Sequence, residues 1–167
     1  MIHSLCFIED CGEINFRFSM AKAIIFDWGR TLYDNENKQL FPDALSILDY
    51  VSKKYKLAIV SLATKESIEE RNSLIRNMKV DHFFEHILID SKDKDRMYSQ
   101  VINNFNIDPR DLILVDDRTV RGISWGNKIG ATTIWLKKGK FSNELPNEET
   151  GSPSHIIENL SELLRLL

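Results

Sequence analysis

The sequence predicts an α/β domain built on a parallel sheet, and two observations lead to that reading. Five short apolar runs recur along the chain, at residues 23–26, 57–60, 86–89, 112–115 and 132–136. Each is too short for a helix, and several are rich in β-branched residues, as strands buried on both faces require. Between them lie segments whose apolar residues repeat at helical spacing, so strands and helices alternate.

The elements follow in order. Met20 is followed at once by Ala-Lys-Ala-Ile-Ile-Phe, which reads as the natural start of a first buried strand. Residues 1–19 are therefore expected to be an extension ahead of a core domain at 20–167. Both cysteines, Cys6 and Cys11, lie in it. They are close enough in sequence to pair or to share a metal, and the simpler reading is two reduced thiols. Pro42 opens the first helix, where its missing N–H costs nothing, and Ala44, Ile47, Leu48 and Val51 line one face. A second helix is expected at 66–78 with Ile68, Ile75 and Met78 on one side. A third, at 95–105, turns Met97, Val101, Ile102 and Phe105 inward. The fourth runs from 119 to 129 and stops at Gly130, a natural C-terminal glycine. Residues 137–153 show little periodicity and read as a surface loop. Ile156, Leu160, Leu163, Leu164 and Leu167 predict a final amphipathic helix.

The chain has 167 residues, enough for one domain with a sizeable core and too few to expect two. Its 43% hydrophobic and 28% charged residues are an ordinary soluble balance. A net charge of −3 gives no long-range pull toward nucleic acid or an anionic membrane. No apolar run approaches the roughly 18–20 residues that span a bilayer, and no basic stretch leads into an apolar one as in a signal peptide. A cytoplasmic location is the expectation.

In an open parallel sheet, ligands bind at the carboxyl ends of the strands. The residues that follow each apolar run are therefore the informative ones. Asp27 follows the first and Ser61 the second. Asp90, Ser91 and Lys92 follow the third, and Asp116 and Asp117 the fourth. This set suits phosphoryl transfer. Asp27 can attack phosphorus as a covalent nucleophile. Three carboxylates together repel unless a cation sits among them, and their hard oxygens suit Mg2+. Ser61 and Lys92 would hold the equatorial oxygens of the phosphoryl group. Taken singly, each has a plainer role: an Asp after a strand usually serves a turn, and the charged stretch 90–96 reads as a solvated face. The plainer role of the pair Asp116-Asp117 is to cap the fourth helix. The ordered set is what points to a site.

These residues resemble the motifs of the haloacid dehalogenase-like hydrolases. Ile24-Ile25-Phe26-Asp27-Trp28-Gly29-Arg30-Thr31-Leu32 resembles the first motif, with its nucleophilic Asp and a Thr four positions on. Ala58-Ile59-Val60-Ser61 resembles the second, and Leu114-Val115-Asp116-Asp117 the fourth. Lys92 falls at the spacing of the third-motif lysine, with Lys94 as its rival. The resemblance implies a three-layer, Rossmann-like fold with sheet order 5-4-1-2-3 and Asp27 on the central strand. It further implies Asp27 and Lys92 as catalytic residues, Ser61, Arg30 and Thr31 at the substrate, and Mg2+ held by Asp27, Asp116, Asp117 and the Gly29 carbonyl. Phosphatases of this family usually carry a second Asp at the position of Gly29, which protonates the leaving group and then activates water. Arg30 stands where the family often has glycine, and either reaches a substrate phosphate or points to solvent. Neither the interval from Asp27 to Ser61 nor that from Ser61 to Lys92 leaves room for a separate cap domain. The lid is then only the loop at 28–40, with Tyr33, Asn35 and Lys38 near its tip.

The leading expectation is a Mg2+-dependent phosphomonoester hydrolase working through an aspartyl-phosphate, on a small or macromolecular phosphorylated substrate. An uncapped site is also compatible with a homo-oligomer. The alternative is a catalytically weak or silent binding protein that kept the fold, because of Gly29. Carbon–halogen hydrolysis is disfavoured because the family's dehalogenases hold the halide with cap residues. A phosphoacceptor receiver is disfavoured by strand order, since receivers place the acidic pair first and the acceptor third.

Overall fold

The computed structural model describes residues 21–167, so the extension expected at 1–19, with Cys6 and Cys11, lies outside the described residues. Along the chain come β1 (Ala23–Phe26), the two-residue strands β2 (Tyr33–Asp34) and β3 (Gln39–Leu40), α1 (Ala44–Val51), β4 (Lys56–Leu62) and α2 (Ile68–Asn77). They are followed by β5 (His86–Asp90), α3 (Lys94–Phe105), β6 (Leu112–Asp116), α4 (Ser124–Ile129), β7 (Thr132–Leu136) and β8 (His155–Ile157). A π turn, Thr119–Ile123, leads into α4.

All four residues of β1 are wholly buried, and β1 pairs in parallel with β4 on one side and β6 on the other. The six-stranded sheet runs β5-β4-β1-β6-β7-β8, with every neighbouring pair parallel. Side chains alternate across a strand, so β1 feeds two cores. Ile24 and Phe26 join Ile47, Leu48 and Val51 of α1 and Ile75 of α2 on one face. Ala23 and Ile25 join Met97, Tyr98, Val101 and Phe105 of α3 on the other, with Trp125 and Ile129 of α4 packed against them. The result is the expected three-layer α/β arrangement, and the five predicted strands stand in the predicted order.

The sheet has one strand more than expected. Ile156 and Ile157, expected to start the terminal helix, instead join His155 in β8 beside β7, with Lys137 N–H donating to Ile157 O at 2.8 Å. Ile156 is 53% exposed and Ile157 2%, a period of two and not of 3.6. The helical turn begins only after Asn159, where a capping box with Glu162 starts the 3-10 segment Leu160–Arg165. Its Leu160 and Leu163 are buried. Ile102, expected inside, is half-buried.

The lid segment is also more ordered than a loop. Trp28 is buried and stacks on Tyr33 with ring centroids 5.4 Å apart, which seats the β2–β3 hairpin on the sheet. Asp34 closes the hairpin's tip by accepting from Glu36 N–H at 2.9 Å and from Asn37 Nδ2 at 2.7 Å. Among the described residues no further domain is inserted, since only this hairpin and α1 separate Asp27 from β4. No helix among them is long and apolar enough to cross a membrane.

Candidate active site

Parallel pairing carries Asp27 one residue past β1, where its N–H still donates to Val115 O at 2.9 Å. That bond fixes the backbone beneath the carboxylate. Asp116 closes β6 and Asp117 follows it, so two adjacent parallel strands deliver three acids to one edge. Carboxylate oxygens of Asp27, Asp116 and Asp117 lie within 4.8 Å of one another.

The cation that answers them is Lys94, not Lys92. Lys94 Nζ donates to Asp27 Oδ1 and Asp116 Oδ2, each at 2.7 Å, and its side chain is 6% exposed. Lys92 is exposed in the turn after β5, where its N–H donates to Asp90 Oδ1 at 3.1 Å. The reason is local. Asp93 caps α3 by accepting from Arg96 N–H at 2.8 Å, which makes Lys94 the first helical residue. Lys94 then shares the inward face with Met97, Tyr98 and Val101. Tyr98 OH adds a bond to Asp116 Oδ2 at 3.1 Å.

Burial decides the ionisation of these groups. It pushes the Asp27 carboxyl up; Lys94 pulls it back down, and Asp116 adds to the rise. Burial also pushes Asp117 up, to about 8, with the neighbouring Asp27 and Asp116 charges adding to it. For Lys94, burial alone would favour the neutral amine, but Asp116 and Asp27 outweigh it and hold the ammonium well above its ordinary value. Asp117 Oδ2 is buried with no hydrogen-bond partner. A buried carboxylate oxygen without a hydrogen bond, beside two further acids, is a hard oxygen donor set that suits Mg2+.

A pH prediction follows. The folded Asp117 keeps its proton to higher pH than an unfolded one, whose value is near 3.8. Between about pH 4 and about pH 8 the folded state therefore holds more protons, and its stability falls as the pH rises. Without metal, Tm is expected to be lower at pH 8 than at pH 6, and Mg2+ is expected to raise Tm more at pH 8. Thermal unfolding with and without Mg2+ at both pH values checks this. A Tm indifferent to Mg2+ at pH 8 would sink the metal assignment.

Around the acids opens a cleft of about 230 Å³ lined by Asp27, Gly29, Ser61, Arg71, Lys94 and Asp117, among others. Ser61, at the end of β4, accepts from Arg71 at 3.0 Å, so α2 adds a guanidinium to the hydroxyl that the sequence singled out. Thr31 is buried with its Oγ1 3.4 Å from Asp27 Oδ2. Gly29 lines the cleft; a Cβ there would meet Asn35 Nδ2 at 3.1 Å and Arg71 at 3.7 Å. Arg30 adopts φ 67 and points its guanidinium over Phe141, 5.3 Å from the ring centroid. It lines the cleft and so faces the site.

Several site residues carried no sequence signal. Arg71, Arg118 and Arg121 line the cleft, as does Phe141 from the loop at 137–153. That loop was expected merely to cover the surface. Its Glu144 instead accepts from Arg118 Nε at 2.7 Å and from Val120 N–H at 3.1 Å, tying the loop to the π turn. Gly122 in that turn lies against Asp116, and a Cβ would meet Leu114 Cδ2 at 2.6 Å. Only glycine permits so close an approach to the acid.

Comparison with known proteins agrees with this geometry. The family description "Haloacid dehalogenase-like hydrolase" matches residues 8–136. A glyceraldehyde 3-phosphate phosphatase of Pyrococcus furiosus is 31% identical over 98 residues, covering 56% of this chain and 40% of the relative. The chain spans about half the length of the curated relatives it matches, 40% to 54%. Among solved structures, a predicted phosphoglycolate phosphatase from Haemophilus somnus superposes with a TM-score of 0.70 at 14% identity, covering 88% of this chain and 98% of the other. A hydrolase from Bacillus subtilis bound to magnesium superposes with a TM-score of 0.64 at 19% identity, covering 78% and 57%. At these identities the structures share the fold.

Proposed function

The chain belongs to the haloacid dehalogenase-like hydrolases, and on that premise we propose that it is a Mg2+-dependent phosphomonoester hydrolase with Asp27 as nucleophile. The observation that supports this most is the position of Asp27. It stands at the end of the central strand, paired with a buried ammonium, and opens into a cleft that also presents Ser61 and Arg71. Relatives named as phosphatases and a magnesium-bound neighbour point the same way.

Lys94 occupies Asp27 Oδ1, while Oδ2 has only the long contact to Thr31. Oδ2 is therefore the oxygen available to attack phosphorus, forming an aspartyl-phosphate as the ester oxygen leaves. Burial works against an ionised Asp27, and the Lys94 charge opposes that rise. Ser61 and Arg71 would hold two phosphoryl oxygens, Arg71 with a rigid planar donor set. Tyr98 and Lys94 together orient Asp116. Asp27, Asp116, Asp117 and the Gly29 carbonyl would hold Mg2+, which supplies charge stabilisation at the phosphoryl oxygens. Water then attacks phosphorus, the P–O bond to Asp27 breaks, and inorganic phosphate leaves with the Asp27 carboxylate restored.

Gly29 supplies no acid for the leaving group. Esters whose leaving oxygen is stable as an anion are expected to turn over fastest. The same residue favours the second reading, a silent binding protein, and one experiment separates the two. Phosphate release from a panel of phosphomonoesters is measured with and without Mg2+, beside Asp27→Asn. Release that requires the metal and falls at least about 10³-fold in the variant is expected. Silence across the panel, from folded protein, would leave only the binding role.

A further inference from the structure

We propose that the wall formed by Arg30, Arg118, Arg121 and Phe141 binds a second anionic group of the substrate, so that the preferred ester carries a carboxylate or second phosphate beside the one removed. This rests on the phosphatase reading and names its substrate class.

The first support is backbone strain. Arg30 sits at φ 67, in the left-handed region that favours glycine and disfavours any side chain. The conformation is held by its own N–H, which donates to Tyr33 O at 2.7 Å. A long cationic side chain at such a position, three residues past the nucleophile, has a use for its guanidinium. Its Nε is buried with no hydrogen-bond partner among the described residues.

The second support is the company Arg30 keeps. Arg118 lies 3.8 Å from the Phe141 centroid and Arg30 5.3 Å, so one aromatic ring receives two guanidinium groups. Its electron-rich face favours cations that would otherwise repel. Glu144 fixes Arg118 through Nε at 2.7 Å, leaving that guanidinium's remaining N–H donors for a ligand.

The third is charge balance. Lys94 together with a divalent cation matches the three acids Asp27, Asp116 and Asp117, and Glu144 matches Arg118. Among the described residues no carboxylate forms an ion pair with Arg30, Arg71 or Arg121, all of which line the cleft. Three unmatched guanidinium charges exceed the two of a phosphate dianion. The surplus lies on the Arg30–Arg121 side, since Arg71 is held at Ser61.

The test compares two non-hydrolysable probes of similar size, 3-phosphonopropionate and propylphosphonate, which differ in one carboxylate. Binding to the full chain with Mg2+ is measured by calorimetry. The carboxylate-bearing probe is expected to bind about 10- to 100-fold tighter, as charge-assisted hydrogen bonds in a half-buried cleft provide. Arg30→Gly is expected to erase most of that preference while raising Tm by about 2–4 °C through relief of the backbone. A purely structural Arg30 would not show the two effects together. Arg121→Ala is expected to reduce the preference without the rise in Tm. Equal affinities for the two probes in the unaltered protein would overturn the proposal, as would a preference that survives both substitutions. Failure of the phosphatase reading shows separately, as bound phosphonates without phosphate release from any ester. Protein that binds neither probe would overturn the proposal, and the release assay alone would then decide the phosphatase reading.

Discussion

Lys94→Met is expected to destabilise the metal-free protein by about 3–5 kcal/mol near neutral pH and to lower kcat by about 10²–10³-fold. Lys92→Ala is expected to change neither. The contrast follows from burial. Lys94 Nζ bridges Asp27 and Asp116 at 2.7 Å to each, in a site where Asp116 is 0% exposed and Lys94 itself 6%. Removing one partner of a buried ion pair leaves the other charges uncompensated, which costs far more than losing an exposed pair. Methionine fills the lysine's volume without its charge, so the loss reads the electrostatics and not a cavity. Mg2+ would offset part of the stability loss, because it answers the same acids. Denaturant unfolding with and without metal, beside kcat, gives both numbers. A Lys94→Met protein as stable and as active as its parent would remove Lys94 from the site.

Gly29→Asp is the second large effect, and its sign is opposite. General acid–base assistance typically contributes about 10²–10⁴-fold, and the residue at this position lacks the side chain for it. The substitution is expected to raise kcat on alkyl phosphates by about 10²-fold, while aryl phosphates, whose leaving groups need no proton, change little. The lower end of the range is expected because Arg71 NH1 lies 3.7 Å from the new Cβ. A guanidinium so near holds the carboxylate ionised, which suits the base role in the water step and opposes the acid role. Asn35 must shift by a few tenths of an ångström, since its Nδ2 is 3.1 Å from that Cβ. Initial rates across esters of graded leaving-group acidity provide the check. Unchanged alkyl-phosphate rates from folded protein would mean that leaving-group protonation does not limit turnover.

Much of the site could be read from strand ends. Asp27, Ser61, Asp116 and Asp117 each follow or close a run of apolar residues, and the runs mark strands whichever way the sheet is ordered. The choice between Lys92 and Lys94 was also open to reading. Asp93 with Arg96 makes a helix N-cap, and Lys94, Met97, Tyr98, Val101 and Phe105 follow one helical stripe. Spacing to the acidic pair favoured Lys92, but two residues decide on which side of a helix start a side chain falls. The closing segment misled for the opposite reason. Its leucines fit a helix, but the open edge of β7 offers backbone partners to 155–157, and β-branched Ile156 and Ile157 accept them.

By itself the sequence determined the alternating α/β layers and the acids at the strand ends, because burial pattern and turn chemistry are local properties. Only the tertiary structure decided which cations line the cleft beside those acids. Arg71 comes from α2, Arg118 and Arg121 from the turn before α4, and Phe141 and Glu144 from a loop with no periodicity. A charged residue on an exposed helix face or loop has the same local sequence whether it meets solvent or a cleft. Its partner is fixed by the packing of segments far apart in the chain, and no period or spacing records that.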